Sequence, residues 1–563
     1  MIRPLAVALV ALALAPAVAS AHATLEETTP ERAARLKAAP EQVTLRFSEP
    51  VEAEFGAMRV FDSRGREVQD GRAFHPGDRG AEVAIRLRSG LGDDGYTVTY
   101  RVISADSHPV SGGFVFVVGD ATAPPTTVAE LLDDDSGPVT GTAFAAARAV
   151  QFGSIALGLG AMLFMLACWL PGVRVAAGAG AQWESASAAF DGRVRVLLIA
   201  AALAGALSAA LALALQGAVA GGTSLWDALT ASVIGDVLGT RFGLVWGLGL
   251  LGWLLVGALA AARSRTLVIV PLVALAAVPA LGGHASVQSP VALLLPANIL
   301  HVAAMSAWLG GIAVLVLALR SATAQLEAGE RTRLLASVIG RFSVLAGVAV
   351  AVLLASGIVQ GVVEVRTPAN LVETAFGRAV LVKIALFGGI VALGYVNRRR
   401  LLPALGRAAR GGESPGRAGM LLRRTLRAEL LLGVAALAVT GALAGYPPSI
   451  AEGGGPFSTD TNIGPARLEV TVDPARVGPN EMHMYLFDRR DGSQFDATKE
   501  LTVTAEMREK RIAPIELDAT KAGPGHYVVS GAAFGVSGTW SVEIVARVSD
   551  FDEYRARFEA PIR

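Results

Sequence analysis

Long runs of apolar residues dominate the middle of the chain. Each run is about 20 residues long, which is the length at which an α-helix crosses the hydrocarbon core of a bilayer. The pattern predicts about eight transmembrane helices in a domain that covers residues 144–448. The predicted spans are 144–170, 194–218, 242–262, 266–284, 292–319, 342–363, 379–396 and 428–446.

A strand-like pattern occupies both sides of the apolar region. Residues 96–103 and 113–118 read as two strands, and they predict a β-domain over residues 22–120. A second β-domain, a sandwich over residues 466–563, is predicted from four later segments. These segments are Met482–Phe487, Leu501–Met507, Tyr527–Ser530 and Trp540–Arg547.

Two segments rich in proline, glycine or acidic residues separate these domains. Pro124-Pro125 and Asp133-Asp134-Asp135 predict a linker over residues 121–143. Gly453-Gly454-Gly455-Pro456 predicts a second linker over residues 449–465.

The first 21 residues have the features of a cleavable secretion signal. Arg3 precedes an apolar stretch, and the segment ends in Ala19-Ser20-Ala21, the small-x-small pattern of a signal-peptidase site. We therefore predict a signal peptide over residues 1–21, whose removal makes His22 the N-terminus of an exported domain.

Loop charges predict the orientation of the spans. Arginine-rich loops stay in the cytoplasm, and the loop after the seventh span is rich in arginine, whereas residues 285–291 contain no basic residue. Both β-domains are therefore expected on the periplasmic or extracellular side of an inner or plasma membrane. The arginines of the basic loop are Arg398, Arg399, Arg400, Arg407, Arg410, Arg417, Arg423, Arg424 and Arg427.

Composition narrows the possible functions. Hydrophobic residues make up 53% of the chain, as expected for a membrane protein, and the net charge of +1 does not suggest a nucleic-acid partner. No G-x-x-x-x-G-K-[ST] motif is present, so a nucleotide partner and ATP-driven pumping are not expected. The single cysteine, Cys168, lies in an apolar run, which leaves histidine, aspartate and methionine for any metal chemistry.

An N-terminal His22 would offer a metal two nitrogens, the free α-amine and the imidazole. Cu(II) is the ion that such a chelate suits best. Asp106 and His108 lie two residues apart between the predicted strands, so both would face one side of an extended chain and could complete the site. The alternative is that His108 is a turn residue before Pro109 and His22 is a frayed terminus.

Two histidines fall in or beside the predicted spans. His284 ends the fourth span, and His301 lies inside the fifth with Met305 one turn later on the same stripe. Because imidazole and thioether both bind copper, and thioether favours Cu(I), these residues are candidates for a transmembrane copper path. The alternative is that His301 hydrogen-bonds a neighbouring helix and Met305 fills space.

Residues 22–120 resemble the CopC family of periplasmic copper-binding proteins. The resemblance implies a Greek-key β-barrel that holds Cu(II) through His22, Asp106 and His108, with Glu49 as a hydrogen-bonding partner of a ligand histidine. It is carried by His22-Ala23, Thr29-Pro30, Leu45-Arg46-Phe47-Ser48-Glu49-Pro50-Val51 and Ser104-Ala105-Asp106-Ser107-His108-Pro109-Val110-Ser111-Gly112.

Residues 144–448 resemble the CopD family of inner-membrane copper-resistance proteins. Gly282-Gly283-His284-Ala285 and the segment from His301 to Gly311 carry this resemblance. The order of domains resembles YcnJ-like fusions of CopC and CopD, and the C-terminal domain resembles YtkA-type sandwiches. In that domain His483 and His526 are candidates for a second copper site, while alternation places Met482 and Met484 in the core.

Together these patterns predict a copper transport protein, not an enzyme, that binds Cu(II) outside and conducts copper inward. Its expected partners are the lipid bilayer and periplasmic copper carriers. Copper resistance by periplasmic sequestration or by export is the main alternative. A copper oxygenase and a haem redox protein with His284 and His301 as axial ligands are further alternatives.

Overall fold

The structure of the protein is a computed structural model. It describes residues 23, 25–31, 34–53, 57–105, 109–119, 137–177, 181–221, 226, 230–324, 326–446, 457–473, 475–490 and 494–562. The predicted signal peptide and the predicted copper ligands His22, Asp106 and His108 lie outside the described residues.

The N-terminal strands form two sheets around one core. One sheet has the order β1-β3-β7-β6, and the other has the order β2-β9-β8-β4, with β5 also paired to β8. Val43, Leu45, Val98, Phe114 and Phe116 are fully buried between them. The strands are β1 Leu25–Thr29, β2 Arg35–Leu36, β3 Gln42–Phe47, β4 Val51–Glu52, β5 Met58–Phe61, β6 Gln69–Phe74, β7 Glu82–Leu87, β8 Gly95–Ser104 and β9 Pro109–Val118.

Helices fill the middle of the chain, and three of them continue through π-helical turns. The helices are α1 Gly137–Phe164, α2 Leu170–Ala176, α3 Ala181–Gly221, α4 Ala231–Gly239, α5 Arg241–Ala261, α6 Ile269–Leu281, α7 Val291–Met305, α8 Gly311–Leu317, α9 Leu319–Thr323, α10 Ala328–Glu364, α11 Asn370–Glu373, α12 Ala375–Val396, α13 Leu402–Arg410 and α14 Gly416–Leu443. The π-helical turns are Met165–Trp169, Ser306–Gly310 and Asn397–Leu401.

Seven helical segments in the described part of the chain are long and apolar enough to cross a bilayer. The fourth predicted span, residues 266–284, is instead the 13-residue helix α6. At about 1.5 Å per residue, α6 is about 20 Å long and thus shorter than the hydrocarbon core. A turn before Ile269 and the Gly282-Gly283 pair after Leu281 set its limits. The expected eight spans are therefore seven long segments and one short apolar helix.

Exposed leucines mark the lipid-facing side of the helices. On α5, Leu244, Leu248, Leu251 and Leu255 follow one stripe, and each is at least half exposed. Apolar side chains on the outside of a helix bundle are expected where the surrounding solvent is lipid.

Glycines bring the first and fifth predicted spans into backbone contact. A Cβ atom at Gly310 would meet the carbonyl oxygen of Ala156 at 1.9 Å, and one at Gly160 would meet that of Ser306 at 2.2 Å. Small residues at a helix crossing allow this close approach in a membrane. The contact fixes the π-helical turn Ser306–Gly310, which carries Trp308, against α1.

The C-terminal strands form the predicted sandwich. Its sheets have the orders β10-β11-β12-β16-β15 and β14-β13-β17-β18. Met482 and Met484 are fully buried in the core between them, as alternation predicts. The strands are β10 Phe457–Ile463, β11 Ala466–Asp473, β12 Gly478–Asp488, β13 Glu500–Met507, β14 Ile512–Leu517, β15 Thr520–Gly523, β16 His526–Phe534, β17 Gly538–Arg547 and β18 Glu553–Ile562.

Both predicted linkers are shorter than expected at one end. Helix α1 begins at Gly137, inside the predicted linker 121–143, because proline is favourable in the first turn of a helix. Strand β10 lies inside the predicted linker 449–465. Most residues of β10 are Ser, Thr, Asp or Asn, so the strand lacks the alternation of apolar and polar residues from which a strand is predicted.

Candidate functional site

Strand pairing brings three segments of the N-terminal domain together. Leu25 pairs with Phe47, so the chain before β1 runs toward Glu49, which is half-buried just after β3. Val51 pairs with Ser104 at the end of β8, and Ile103 pairs with Pro109. The described flanks of residues 22 and 106–108 therefore converge beside Glu49.

Arg241 joins this corner of the N-terminal domain to the helices. Its backbone N–H donates to Glu52 Oε1 at 2.7 Å, and its Nη1 donates to the carbonyl oxygen of Ala105 at 3.3 Å. Its Nη2 donates to the carbonyl oxygen of Leu281 at 3.2 Å and to Ser286 Oγ at 2.8 Å. One arginine thus bridges the segment that leads to Asp106 and the turn that contains His284.

Two further arginines hold the same domain against the helix ends. Arg101 donates to the carbonyl oxygens of Val219 and Ala220, the last turn of α3, at 2.8 and 3.1 Å. A cation at a helix C-terminus is favourable because the terminal carbonyls lack partners within the helix. Arg72 makes an exposed ion pair with Asp236 at 3.3 Å. We call the helix ends that meet these strands the docked end, and the opposite ends the arginine-rich end.

An acidic residue interacts with His284 at the docked end. Glu364, the last residue of α10, interacts electrostatically with both His284 and Lys383. Lys383 on α12 in turn interacts electrostatically with His301. Glu364 and Lys383 are not among the site residues predicted from the sequence, although a charged residue within a span is a general signal of function.

His301 is held in one orientation by a serine of α10. Its Nδ1 lies 2.9 Å from Ser356 Oγ, and the Ser356 hydroxyl donates to the carbonyl oxygen of Val352 at 2.7 Å. Because a hydroxyl has one proton, Ser356 accepts from His301 Nδ1–H. This tautomer leaves a lone pair on Nε2, which is the state in which an imidazole binds a metal.

Neutral polar side chains continue from His301 toward the docked end. Asn298 Nδ2 donates to Gln360 Oε1 at 3.1 Å, and Gln360 Nε2 donates to the carbonyl oxygen of Ser356 at 3.2 Å. Toward the other end, Met305 is half-buried, and Trp308 packs edge-on against Phe387 at 5.7 Å. The path predicted from His284 through His301 to Met305 is therefore lined by polar groups in its docked half.

Three protein families match separate parts of this chain. The CopC domain matches residues 25–119, the N-terminal domain of copper resistance protein D-like proteins matches residues 139–292, and copper resistance protein D matches residues 336–443. This chain is a fusion of CopC and CopD domains. The fold class and the family predicted from the sequence are thereby confirmed.

Known relatives agree with this assignment. The chain is 27% identical over 567 residues to the copper transport protein CutJ of Bacillus subtilis (strain 168), and the match covers 97% of each chain. It is 31% identical over 98 residues to protein YobA of Escherichia coli (strain K12), which is 17% of this chain and 79% of YobA. It is 31% identical over 158 residues to copper resistance protein D of Pseudomonas syringae pv. tomato, which is 28% of this chain and 50% of that protein. The CopC–CopD fusion is therefore a multi-pass membrane protein related to copper transport and resistance proteins.

The domain that follows the CopD region of this fusion contains a buried pair of histidines. His483 Nδ1 lies 3.2 Å from His526 Nε2, and each residue is 1% exposed. Tyr485 stacks on His526 with ring centroids 4.2 Å apart, and His483 Nε2 lies 3.5 Å from Glu481 Oε1. Among the described residues no group of three or more His, Cys, Asp or Glu side chains forms a metal cluster. The pair therefore stays only a candidate as a second copper site.

Stability of this C-terminal sandwich is expected to fall in acid. Burial, followed by the charge of His483, lowers the pKa of His526 well below its ordinary value. The folded state keeps His526 neutral, whereas the unfolded chain takes up a proton below about pH 6.5. The free energy of unfolding of the sandwich therefore keeps its full value above that pH. It falls as the pH drops, by up to about 1.4 kcal/mol per pH unit.

The measurement is the urea concentration at which half of the C-terminal sandwich is unfolded, determined in the full chain at pH 7.5 and at pH 5.5. Protease cleavage within β16 reports this unfolding, and the released peptides are quantified. The variant His526→Gln should show a smaller difference between the two pH values, and His75→Gln in the CopC domain should keep the wild-type difference. Equal wild-type midpoints at the two pH values would contradict the expectation.

Proposed function

We propose that this CopC–CopD fusion imports copper, with the CopC domain capturing Cu(II) outside the membrane and delivering it directly to the CopD domain. The single observation that carries the proposal is the set of hydrogen bonds made by Arg241. They tie Ala105, next to the proposed ligands Asp106 and His108, to Leu281 and Ser286, on either side of His284. Copper released from the CopC domain would therefore meet His284 first.

The order of ligands supports this path. The outer site offers the α-amine and imidazole of His22 with Asp106 and His108, which suit Cu(II). His284 and His301 offer imidazole, and Met305 then offers the softer thioether, which suits Cu(I). The names of the relatives CutJ and copper resistance protein D, which refer to copper transport and copper resistance, agree with copper as the cargo.

Charge distribution favours import over export. We place the docked end outside, since arginine-rich loops stay in the cytoplasm. Histidine, aspartate and glutamate side chains are then concentrated at the outer mouth, where they can collect a cation. The arginine-rich end instead carries Arg398, Arg399 and Arg400 on the π-helical turn after α12, and their positive charge would repel a cation that is to be collected there for expulsion.

Loss of the Arg241 side chain is expected to uncouple capture from transport. The variant Arg241→Gln loses charge-assisted hydrogen bonds worth about 1.5–3 kcal/mol each, so copper uptake at limiting copper should fall about tenfold or more. Cu(II) binding by the purified full chain should stay unchanged because the proposed ligands are intact. Initial rates of copper uptake and a Cu(II) titration measure the two properties separately.

A matched control is Arg72→Gln, which removes an exposed ion pair between the CopC domain and Asp236 of α4 that does not involve residues 104–109. Exposed pairs contribute little, so uptake should change less than about twofold. Wild-type uptake by Arg241→Gln, or equal losses in both variants, would argue against direct delivery from the CopC domain.

A further inference from the structure

A cavity of about 220 Å³ lies between α10, α12 and α14, toward the arginine-rich end of these helices. Its wall is mostly apolar, and Phe342, Val350 and Leu426 are among the side chains that line it. Gly347 and Gly394 belong to the same wall and have no side chains, which leaves room between the helices. The cavity therefore has the shape and the apolar character that suit a hydrocarbon chain.

The wall of this cavity reaches the lipid-facing side of the helices. Tyr395, which lines the cavity, is 60% exposed. Val344 and Val348, which follow the lining residues Ser343 and Gly347 on α10, are each more than half exposed. Exposed apolar side chains in this domain face lipid, so an alkyl chain can enter the cavity from the bilayer.

Arg398 supplies a positive charge to the wall, and it is exposed. Its Nη1 donates to the carbonyl oxygen of Ser343 at 3.0 Å and to Ser343 Oγ at 3.3 Å. The same Nη1 lies 3.6 Å from the position that a Cβ atom would take at Gly347. All hydrogen bonds that Arg398 makes with the described residues use Nη1, so the N–H groups of Nε and Nη2 remain available to a ligand.

Two more arginines follow Arg398 in the π-helical turn Asn397–Leu401. The Cζ atom of Arg399 lies 5.6 Å from the centroid of the Tyr395 ring, which holds both side chains at the same level. In the described part of the chain, no carboxylate lies within ion-pair distance of Arg398, Arg399 or Arg400. Their positive charge is therefore free to attract an anionic headgroup.

Glu429 is the acidic residue of the wall, and it is engaged inside the protein. It is 2% exposed, and its Oε1 accepts a hydrogen bond from Asn397 Nδ2. The Thr425 hydroxyl donates to Asn397 Oδ1 at 2.7 Å, which fixes the Asn397 amide with its NH₂ group toward the carboxylate. Because Arg398 is exposed and Glu429 is buried, an anionic group that approaches from the lipid meets the arginine first.

We propose that this cavity binds one acyl chain of an anionic phospholipid, of the phosphatidylglycerol type, whose phosphate is held by Arg398. The lipid comes from the leaflet at the arginine-rich end. A guanidinium binds phosphate oxygens through parallel N–H groups, and basic pockets between membrane helices bind anionic headgroups. The apolar wall accounts for the chain, and the unpaired arginines account for the headgroup. The site does not depend on the proposed copper path.

The first test uses the full chain in phosphatidylcholine vesicles that contain a photoactivatable phosphatidylglycerol with the reactive group on one acyl chain. Mass spectrometry of the peptides locates the labelled residues. The analogue should label residues 342–350, and a phosphatidylcholine analogue with the same chains should label them about fivefold less, because it lacks the net negative charge. Equal labelling of these residues by the two analogues would overturn the proposal.

A pair of arginine variants tests the headgroup contact. Arg398→Gln should lower labelling of the cavity by the phosphatidylglycerol analogue about fivefold or more. Arg410→Gln removes the same charge from the last turn of α13, outside the cavity, and should change labelling less than about twofold. Equal losses in the two variants would mean a diffuse attraction to the arginine-rich end and would exclude the site.

A pair of glycine variants tests the cavity itself while keeping every arginine. Gly347→Leu places a side chain in the space proposed for the acyl chain, so labelling of the cavity should fall about fivefold or more. Gly340→Leu is the matched control, because Gly340 lies on the same helix outside the lining, and no heavy atom lies within 4 Å of its added Cβ position. It should keep the wild-type labelling. Wild-type labelling in Gly347→Leu would show that the chain binds elsewhere.

Discussion

Replacing His301 by alanine is expected to stop copper accumulation by cells that depend on this protein. The hydrogen bond to Ser356 orients the imidazole and leaves Nε2 with a lone pair in the middle of the proposed path. Loss of a hydrogen-bonding partner of a metal ligand costs 10–100-fold in metal affinity or activity, so Ser356→Ala should lower the uptake rate by about that factor. Loss of the ligand itself should cost more than about 100-fold.

The measurement is cellular copper under limiting copper, in a deletion strain complemented with each variant. Deletion should lower cellular copper, the wild-type gene should restore it, and His301→Ala should not. His75→Ala, which changes a histidine of the CopC domain that is not among the proposed ligands, should restore it fully. Unchanged or higher copper in the deletion strain would point to export or to periplasmic buffering instead of import.

Adding one residue before His22 is expected to abolish tight Cu(II) binding outside the membrane. The added residue converts the α-amine into an amide nitrogen, which must lose a proton before it can bind a metal. The change removes a ligand, and so does His108→Ala, so each should weaken Cu(II) binding more than about 100-fold. A Cu(II) titration of the full chain, followed by its paramagnetic resonance spectrum, measures the loss.

His75→Ala serves as the control here too, because its Nδ1 hydrogen-bonds the carbonyl oxygen of Glu82 and it is not among the proposed ligands. Its Cu(II) affinity should equal that of the wild type. Equal affinity in the N-terminally extended chain would mean that the α-amine is not a ligand, and the site would then have to be sought elsewhere in the CopC domain.

In the proposed path, the docked CopC domain would deliver copper to the helices as well as bind it. Arg101 and Arg241 both place a guanidinium at the C-terminal carbonyls of a helix, on α3 and α6. Both helices end on the docked side, and the carbonyls there have no partner within the helix. The C-terminal carbonyls of these helices therefore receive the domain, and His284 lies three residues beyond the end of α6.

Local patterns in the sequence were sufficient for the architecture. The length of an apolar run predicts a span because the bilayer has a fixed thickness, and alternation predicts a strand because successive side chains face opposite sides. The apolar runs thus gave the helical middle, and strands such as β8 and β12 were predicted within a few residues. Where the pattern was locally weak, as in polar β10 and short α6, the predicted boundaries or lengths differed from the structure.

The sequence by itself also determined the candidate ligands, because His22, Asp106, His108, His284, His301 and Met305 are chemically distinctive residues in recognisable motifs. Only the tertiary structure decided which groups meet. Arg241 reaches Ala105 across 136 residues, Ser356 orients His301 across 55, and Asn397 reaches Glu429 across 32. Such contacts depend on how helices and sheets pack, and packing sums many weak interactions between distant segments, so no local pattern encodes it.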